Sequence, residues 1–131
     1  MKSISYIFIR LGIGISMLGH GLVRIPKLSA FSEGMLNNFE AAVLPNFIVL
    51  PFSLALPFIE FILGLLLVLG WQTKRAAILG GILMLSLMVG TTLIENWSAL
   101  PSQMIHLLFF VLVYEFNQVN SFSLDQPQIF K

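Results

Sequence analysis

Residues Arg10–Lys27 read RLGIGISMLGHGLVRIPK, and the fold turns on how this stretch is read. It is mostly apolar, yet it opens on Arg10 and closes on His20, Arg24 and Lys27, with glycines at 12, 14, 19 and 21. In a water-soluble helix each glycine costs about 1 kcal/mol against alanine. In a membrane helix the same residue lets two backbones approach closely. The stretch therefore reads as a transmembrane helix packed tightly on its neighbours, with ionisable groups near both ends.

The rest of the chain supports that reading. Of 131 residues, 57% are hydrophobic and 10% are charged. A soluble domain carries about a quarter charged residues. The mean hydropathy is +0.93. So few charges cannot cover a water-facing surface, and the chain reads as an integral membrane protein in contact with lipid. A formal net charge of +1 leaves no footprint for nucleic acid. The lack of cysteine removes disulfide exchange and thiolate metal sites. A cleaved signal peptide would need an uninterrupted apolar run and a small-residue cleavage site. Arg10 breaks the run and no such site follows Arg24, so this segment is expected to be retained.

Four apolar segments can be drawn, about 4–23, 47–70, 76–94 and 100–116. Each approaches the length of about 20 residues that crosses a bilayer core. No internal repeat or linker interrupts them, so residues 1–131 read as one domain. The expected fold class is an all-α membrane protein, a four-helix transmembrane bundle. Between spans one and two, Phe31, Met35, Phe39 and Val43 recur every four residues, with Glu33, Asn37, Asn38 and Glu40 between them. That spacing predicts a short amphipathic interfacial helix. Ser29 is its expected cap, and Pro45 follows its end. The helix either rests at the membrane boundary or folds over the bundle mouth. Lys2, Lys74, Arg75 and Lys131 fall on one side of the membrane, Arg24 and Lys27 on the other. The excess of basic residues places both termini in the cytoplasm.

Ionisable residues inside spans are functional candidates, because a charge at the bilayer centre costs at least about 2.5 kcal/mol. Arg10, His20, Glu60 and His106 qualify. At about 1.5 Å of rise per residue, Glu60 lies near the midplane, and His20 and His106 share a level nearer the outer face. Arg10 is expected to snorkel to the inner boundary, to pair with Glu115, or to reach Glu60. Arg10 and Glu115 are read as structural charges. Glu60 is too deep to snorkel, and Gly64, one turn along, leaves space beside its carboxylate. Gln103 and His106 stand three apart on one helix face. For each histidine the plainer reading is a satisfied packing residue at a helix end. The sharper one is a polar pocket open to the outer face. Two histidines on separate spans do not have the spacing of a metal site.

In their order and spacing these residues resemble the DoxX family of small four-span bacterial membrane proteins. The likeness rests on Arg10, on Gly19-His20-Gly21 with Lys27, on Glu60 followed by Gly64, Gly70 and Thr73-Lys74-Arg75-Ala76-Ala77, on His106, and on the closing Ser123-Leu124-Asp125. Asn120 and Phe122 stand where the family usually has glycines, and the paired cysteines of its redox members have no counterpart here. The resemblance implies a multi-pass protein of the bacterial plasma (inner) membrane. In some members it implies a subunit or partner of an oxidoreductase complex that meets quinone.

His20, Lys27, Glu60, Gln103 and His106 are accordingly the candidate ligand-binding set, with quinone as the candidate cofactor. No side chain here carries electrons, so another membrane or membrane-associated protein must supply them. The competing reading is a non-enzymatic scaffold whose glycine-lined faces pack against and stabilise another membrane protein. A proton path or small transporter would need an oligomer, since four spans leave little room for an alternating-access site.

Overall fold

The computed structural model describes residues 1–125. Lys131, which entered the orientation reading, lies outside the described residues, as does the rest of the tail beyond Asp125. Five helices follow in order: α1 (Ser3–Arg24), α2 (Leu28–Asn38), α3 (Asn46–Leu69), α4 (Thr73–Leu93) and α5 (Leu100–Glu115). Four segments are long and apolar enough to cross a membrane, and among the described residues there is no strand. The protein is a multi-pass four-helix bundle, with spans within a few residues of those expected.

Adjacent spans are also neighbours in space. α1 packs chiefly on α3 and α4 on α5, while α1 meets α5 and α3 meets α4 more lightly. The first seam is close because glycines line it. A Cβ on Gly64 would lie 2.2 Å from the backbone nitrogen of Leu18, and one on Gly21 would lie 2.6 Å from the carbonyl oxygen of Pro57. Gly64 therefore seats α1 against α3. It does not leave room beside Glu60, as the one-turn spacing suggested. On the second seam the Phe110 ring occupies the space that a side chain at Gly80 would need. Phe8, Ile15, Ile62, Leu85 and Val111 point away from the bundle, where lipid surrounds it.

α1 does not stop where its hydropathy falls. It runs to Arg24, tightens into a 3-10 turn at Ile25–Lys27 that includes Pro26, and resumes as α2. α2 starts directly from that turn, so Ser29 lies inside the helix and caps nothing. The four-residue stripe carries through Phe39, but the helix has ended by then, and Val43 sits in the following turns, 89% exposed. α2 folds over one end of the bundle and packs on α3, pinned by a buried hydrogen bond between the Ser32 and Ser53 hydroxyls at 2.7 Å. α3 continues unbroken through Pro51 and Pro57 and ends at Gly70. Gly70 is left-handed (φ 66°), and Trp71 N–H donates back to the Leu66 carbonyl at 2.8 Å. That is a Schellman ending.

The opposite end carries both termini. Past α5, residues 120–125 cross beneath the bundle as a strap. Leu124 and Asp125 donate backbone N–H bonds to the Leu69 and Gly70 carbonyls. The Asp125 carboxylate accepts from the Gln72 and Thr73 N–H groups at 2.7 and 2.9 Å, capping the positive end of α4. Arg10 is 1% exposed and donates to the Asn120 side chain and to the Ser121 and Phe122 carbonyls. Neither Glu115, which is exposed, nor Glu60 is its partner, and it does not snorkel. A guanidinium offers five N–H donors, and the bent backbone of the strap supplies acceptors that a carboxylate would otherwise have to provide.

The α1–α3 seam makes a stability prediction. Gly64→Ala should destabilise the bundle by about 1–3 kcal/mol, because the new methyl meets backbone that cannot move alone. Gly19→Ala, where nothing lies within 4 Å, should stay within about 0.5 kcal/mol of wild type. Reversible unfolding in detergent, read by circular dichroism, compares the two.

Candidate functional site

At the α2 end the helices enclose a cavity of about 720 Å³. All five helices contribute to its wall. His20 and Arg24 come from α1, one turn apart and therefore on one face. Glu60 comes from α3, Thr91 from α4, and Gln103 and His106 from α5. Phe31 and Met35 of α2 cover them, and Leu56 and Met84 supply apolar wall.

The strongest interaction is an ion pair. One nitrogen of Arg24, Nη1, donates to both carboxylate oxygens of Glu60, at 2.9 and 3.0 Å. The Glu60 side chain is 4% exposed and that of Arg24 30%. The guanidinium also lies 4.7 Å from the centre of the Phe31 ring, a cation–π contact that ties the lid helix to the pair. Because a single nitrogen serves both oxygens, Nη2 and Nε of Arg24 remain available to an acceptor. A deep carboxylate is thereby neutralised without leaving the hydrocarbon zone.

The histidines are ordered by Ser16. Nδ1–H of His20 donates to the Ser16 carbonyl at 2.7 Å, and the Ser16 hydroxyl is 2.7 Å from Nε2 of His106. Nδ1–H of His106 donates to the Ser102 carbonyl, also at 2.7 Å. A carbonyl oxygen only accepts, so both rings carry hydrogen on Nδ1. In the neutral rings Nε2 of His106 then accepts from Ser16, and Nε2 of His20 is an acceptor. The two ring centres are 6.0 Å apart, edge to face. On α5, Gln103 donates through Nε2 to the Thr91 hydroxyl at 2.8 Å, while its Oε1 is buried without a partner.

Of the residues singled out from sequence, His20, Glu60, Gln103 and His106 share this one cavity. Lys27 does not join them. It is exposed in the turn between α1 and α2 and forms no part of the wall. Arg10 sits at the strap end, and Glu115 lines a smaller hollow of about 460 Å³ there with Lys74 and Asp125. Three contributors were not read as site residues: Arg24, which entered the orientation count, Thr91 and Ser16. The spacing of Arg24 from His20 was the available signal. Among the described residues no group of three or more His, Asp or Glu side chains is placed to hold a metal ion.

A family model described as DoxX matches residues 5–95. No curated protein and no solved structure matches the chain. The matched segment contains His20, Arg24, Glu60 and Thr91, whereas Gln103, His106 and Ser123-Leu124-Asp125 lie beyond it.

The ion pair can be tested by removing one member and then both. Arg24→Met should cost about 3 kcal/mol, because it strands a buried carboxylate. Adding Glu60→Met should restore most of that loss, since two apolar groups replace a neutral pair. Detergent unfolding of the single and double variants supplies the comparison.

Proposed function

This chain belongs to the DoxX family, and from that premise we propose that it is a membrane subunit or partner of an oxidoreductase-type complex, binding a quinone-class molecule in the cavity under α2. One observation carries the reading: His20, Arg24, Glu60, Gln103 and His106, from three separate spans, line a single cavity. Its volume of about 720 Å³ falls within the range of roughly 300–1,000 Å³ usual for small-molecule sites. Apolar walls with a few converging polar groups suit a ring with a polar head and a hydrocarbon tail.

A quinone, when bound, supplies two-electron, two-proton chemistry. The protein's part is to place the head and handle protons. The free N–H groups of Arg24 can orient a carbonyl oxygen, and His20 and Glu60 can hold or pass a proton beside it. The chain has no cysteine and its side chains offer no electron carrier, so a partner protein supplies the electrons.

The setting we propose is the bacterial inner membrane, with both termini in the cytoplasm. Lys2, Lys74 and Arg75 lie at the strap end. At the lid end Arg24 is engaged with Glu60, which leaves Lys27 as the unpaired basic side chain there among the described residues. By count, Lys2, Lys74 and Arg75 against Arg24 and Lys27, the Lys and Arg excess of the described residues stays at the strap end, the side the rule gives to the cytoplasm.

A second reading rests on α5. Among the described residues only Phe110 and Val113 of that helix are buried. Much of α5 is free to meet another membrane protein, as a scaffold would require.

The test is equilibrium binding of decylubiquinone and decylubiquinol to the purified chain in detergent. Wild type should bind, and Glu60→Gln and His20→Ala should each weaken binding of the quinol, whose hydroxyl can donate to His20, by about tenfold, the worth of one good polar contact. Lys27→Ala, off the cavity wall, should bind as wild type does. No measurable affinity in wild type, or unchanged affinity in both cavity variants, removes the quinone reading and leaves the scaffold.

A further inference from the structure

The polar groups of the cavity are not equally satisfied, and the imbalance has a sign. Gln103 uses one of its two amide N–H bonds on the Thr91 hydroxyl, and its carbonyl oxygen is buried with no partner. His20 spends Nδ1–H on the Ser16 carbonyl, which leaves Nε2 of the neutral ring as a second acceptor. Nε2 of His106 is already occupied by the Ser16 hydroxyl. Donors are left over too: the second amide N–H of Gln103, the Thr91 hydroxyl hydrogen, and the N–H groups of Arg24, whose side chain is 30% exposed and within reach of water. Among the described side-chain atoms lining the cavity, Gln103 Oε1 alone is buried with no partner at all, and it is an acceptor.

We propose that the cavity selects the hydroxyl-bearing, reduced form of its guest, a quinol in preference to the corresponding quinone. The inference rests on the quinone-class reading above. A quinone head offers only acceptors. Against Gln103 Oε1 and His20 Nε2 it leaves both unpaired and sets lone pair against lone pair. A quinol hydroxyl donates to either one and still accepts from Arg24. An acceptor buried without a partner forfeits the water it had in solution, so the guest that brings the donor gains most. Tighter binding of the reduced form also pulls the bound couple toward reduction, because a ligand shifts an equilibrium by its differential affinity.

The experiment uses the full chain in detergent under anaerobic conditions, titrated by calorimetry with four probes. These are decylubiquinone, decylubiquinol, the dimethyl ether of decylubiquinol, and dioctanoylglycerol. The quinol should bind about tenfold more tightly than the quinone, the factor one neutral hydrogen bond supplies. The dimethyl ether keeps the ring and loses both donors, so it should bind no better than the quinone. Gln103→Met, which removes the orphan acceptor, should erase most of the preference. Equal affinity for quinol and quinone, or a preference unchanged in Gln103→Met, overturns this inference and leaves quinone-class binding intact. Dioctanoylglycerol binding as tightly as the quinol also overturns it, since the cavity would then read any lipid hydroxyl. If neither redox form binds, both readings fall together. The ether comparison is made on wild type, so it holds even where Gln103→Met does not fold.

Discussion

The backbone contact between α1 and α3 is what everything else depends on. Gly21 meets Pro57 and Phe61, and Gly64 meets Leu18, with no side chain between. Two helices this close hold their flanking side chains within a few ångströms of each other. Arg24 lies one turn beyond His20 along α1, and Glu60 lies one turn before Gly64 along α3. Closing the seam therefore brings a guanidinium onto a carboxylate. Without the glycines the helices would stand further apart, and Glu60 would face hydrocarbon or require a proton. The seam is made of the smallest residues so that the largest charged ones can meet.

The two ends of the bundle solve the same problem by different means. At the strap end, Arg10 is held by dipoles, an amide and two backbone carbonyls, and its nearest countercharge, Asp125, is reached through Asn120, whose side-chain nitrogen is 3.4 Å from that carboxylate. That arrangement leaves only Nε of Arg10 without a partner, and through Asp125 it secures the terminus of α4 as well. At the lid end, Arg24 is neutralised by a true countercharge and by a ring face, and some of its donors are left over. The first end uses most of its hydrogen-bonding capacity on itself. The second keeps some back, and a cavity lies beside it. Both features favour the lid end as the working end.

Much of this was legible in the residues. The spans followed from hydropathy, because hydrocarbon imposes length and composition on a helix more strictly than water does. Four of the five candidate ligand-binding residues meet in one cavity, since intramembrane polar groups have few places to go. Lys27 was misplaced and Arg24 overlooked for one shared reason. Hydropathy ends the first span at Val23, and of the basic residues just beyond it only the half-buried Arg24 finds a carboxylate among the described residues, Glu60 of α3, to pair with. That is a long-range pairing, and local pattern does not carry it. The partners of Arg10 were hidden for a related reason: they are mainly backbone carbonyls of a strap over a hundred residues away, and every residue has a carbonyl. Gly64 was assigned to the wrong neighbour because spacing along one helix does not say which side a second helix occupies.

The ion pair also constrains what can enter. Arg24 and Glu60 cancel, so a guest meets no net charge from them and gains nothing from bringing a charge of its own. A charged guest would instead lose its hydration in a site enclosed by Phe31, Leu56 and Met84. The cavity thus suits a neutral molecule that partitions into lipid and carries hydrogen-bonding groups at one end. Such a guest can arrive from the membrane itself, and its polar end would come to rest where Phe31 of the lid, the Arg24–Glu60 pair and the two histidines converge. Replacing the pair with a single charge would change the permitted guest from neutral to ionic. On the quinone-class reading we propose, the pairing of Arg24 with Glu60 sets specificity as well as stability.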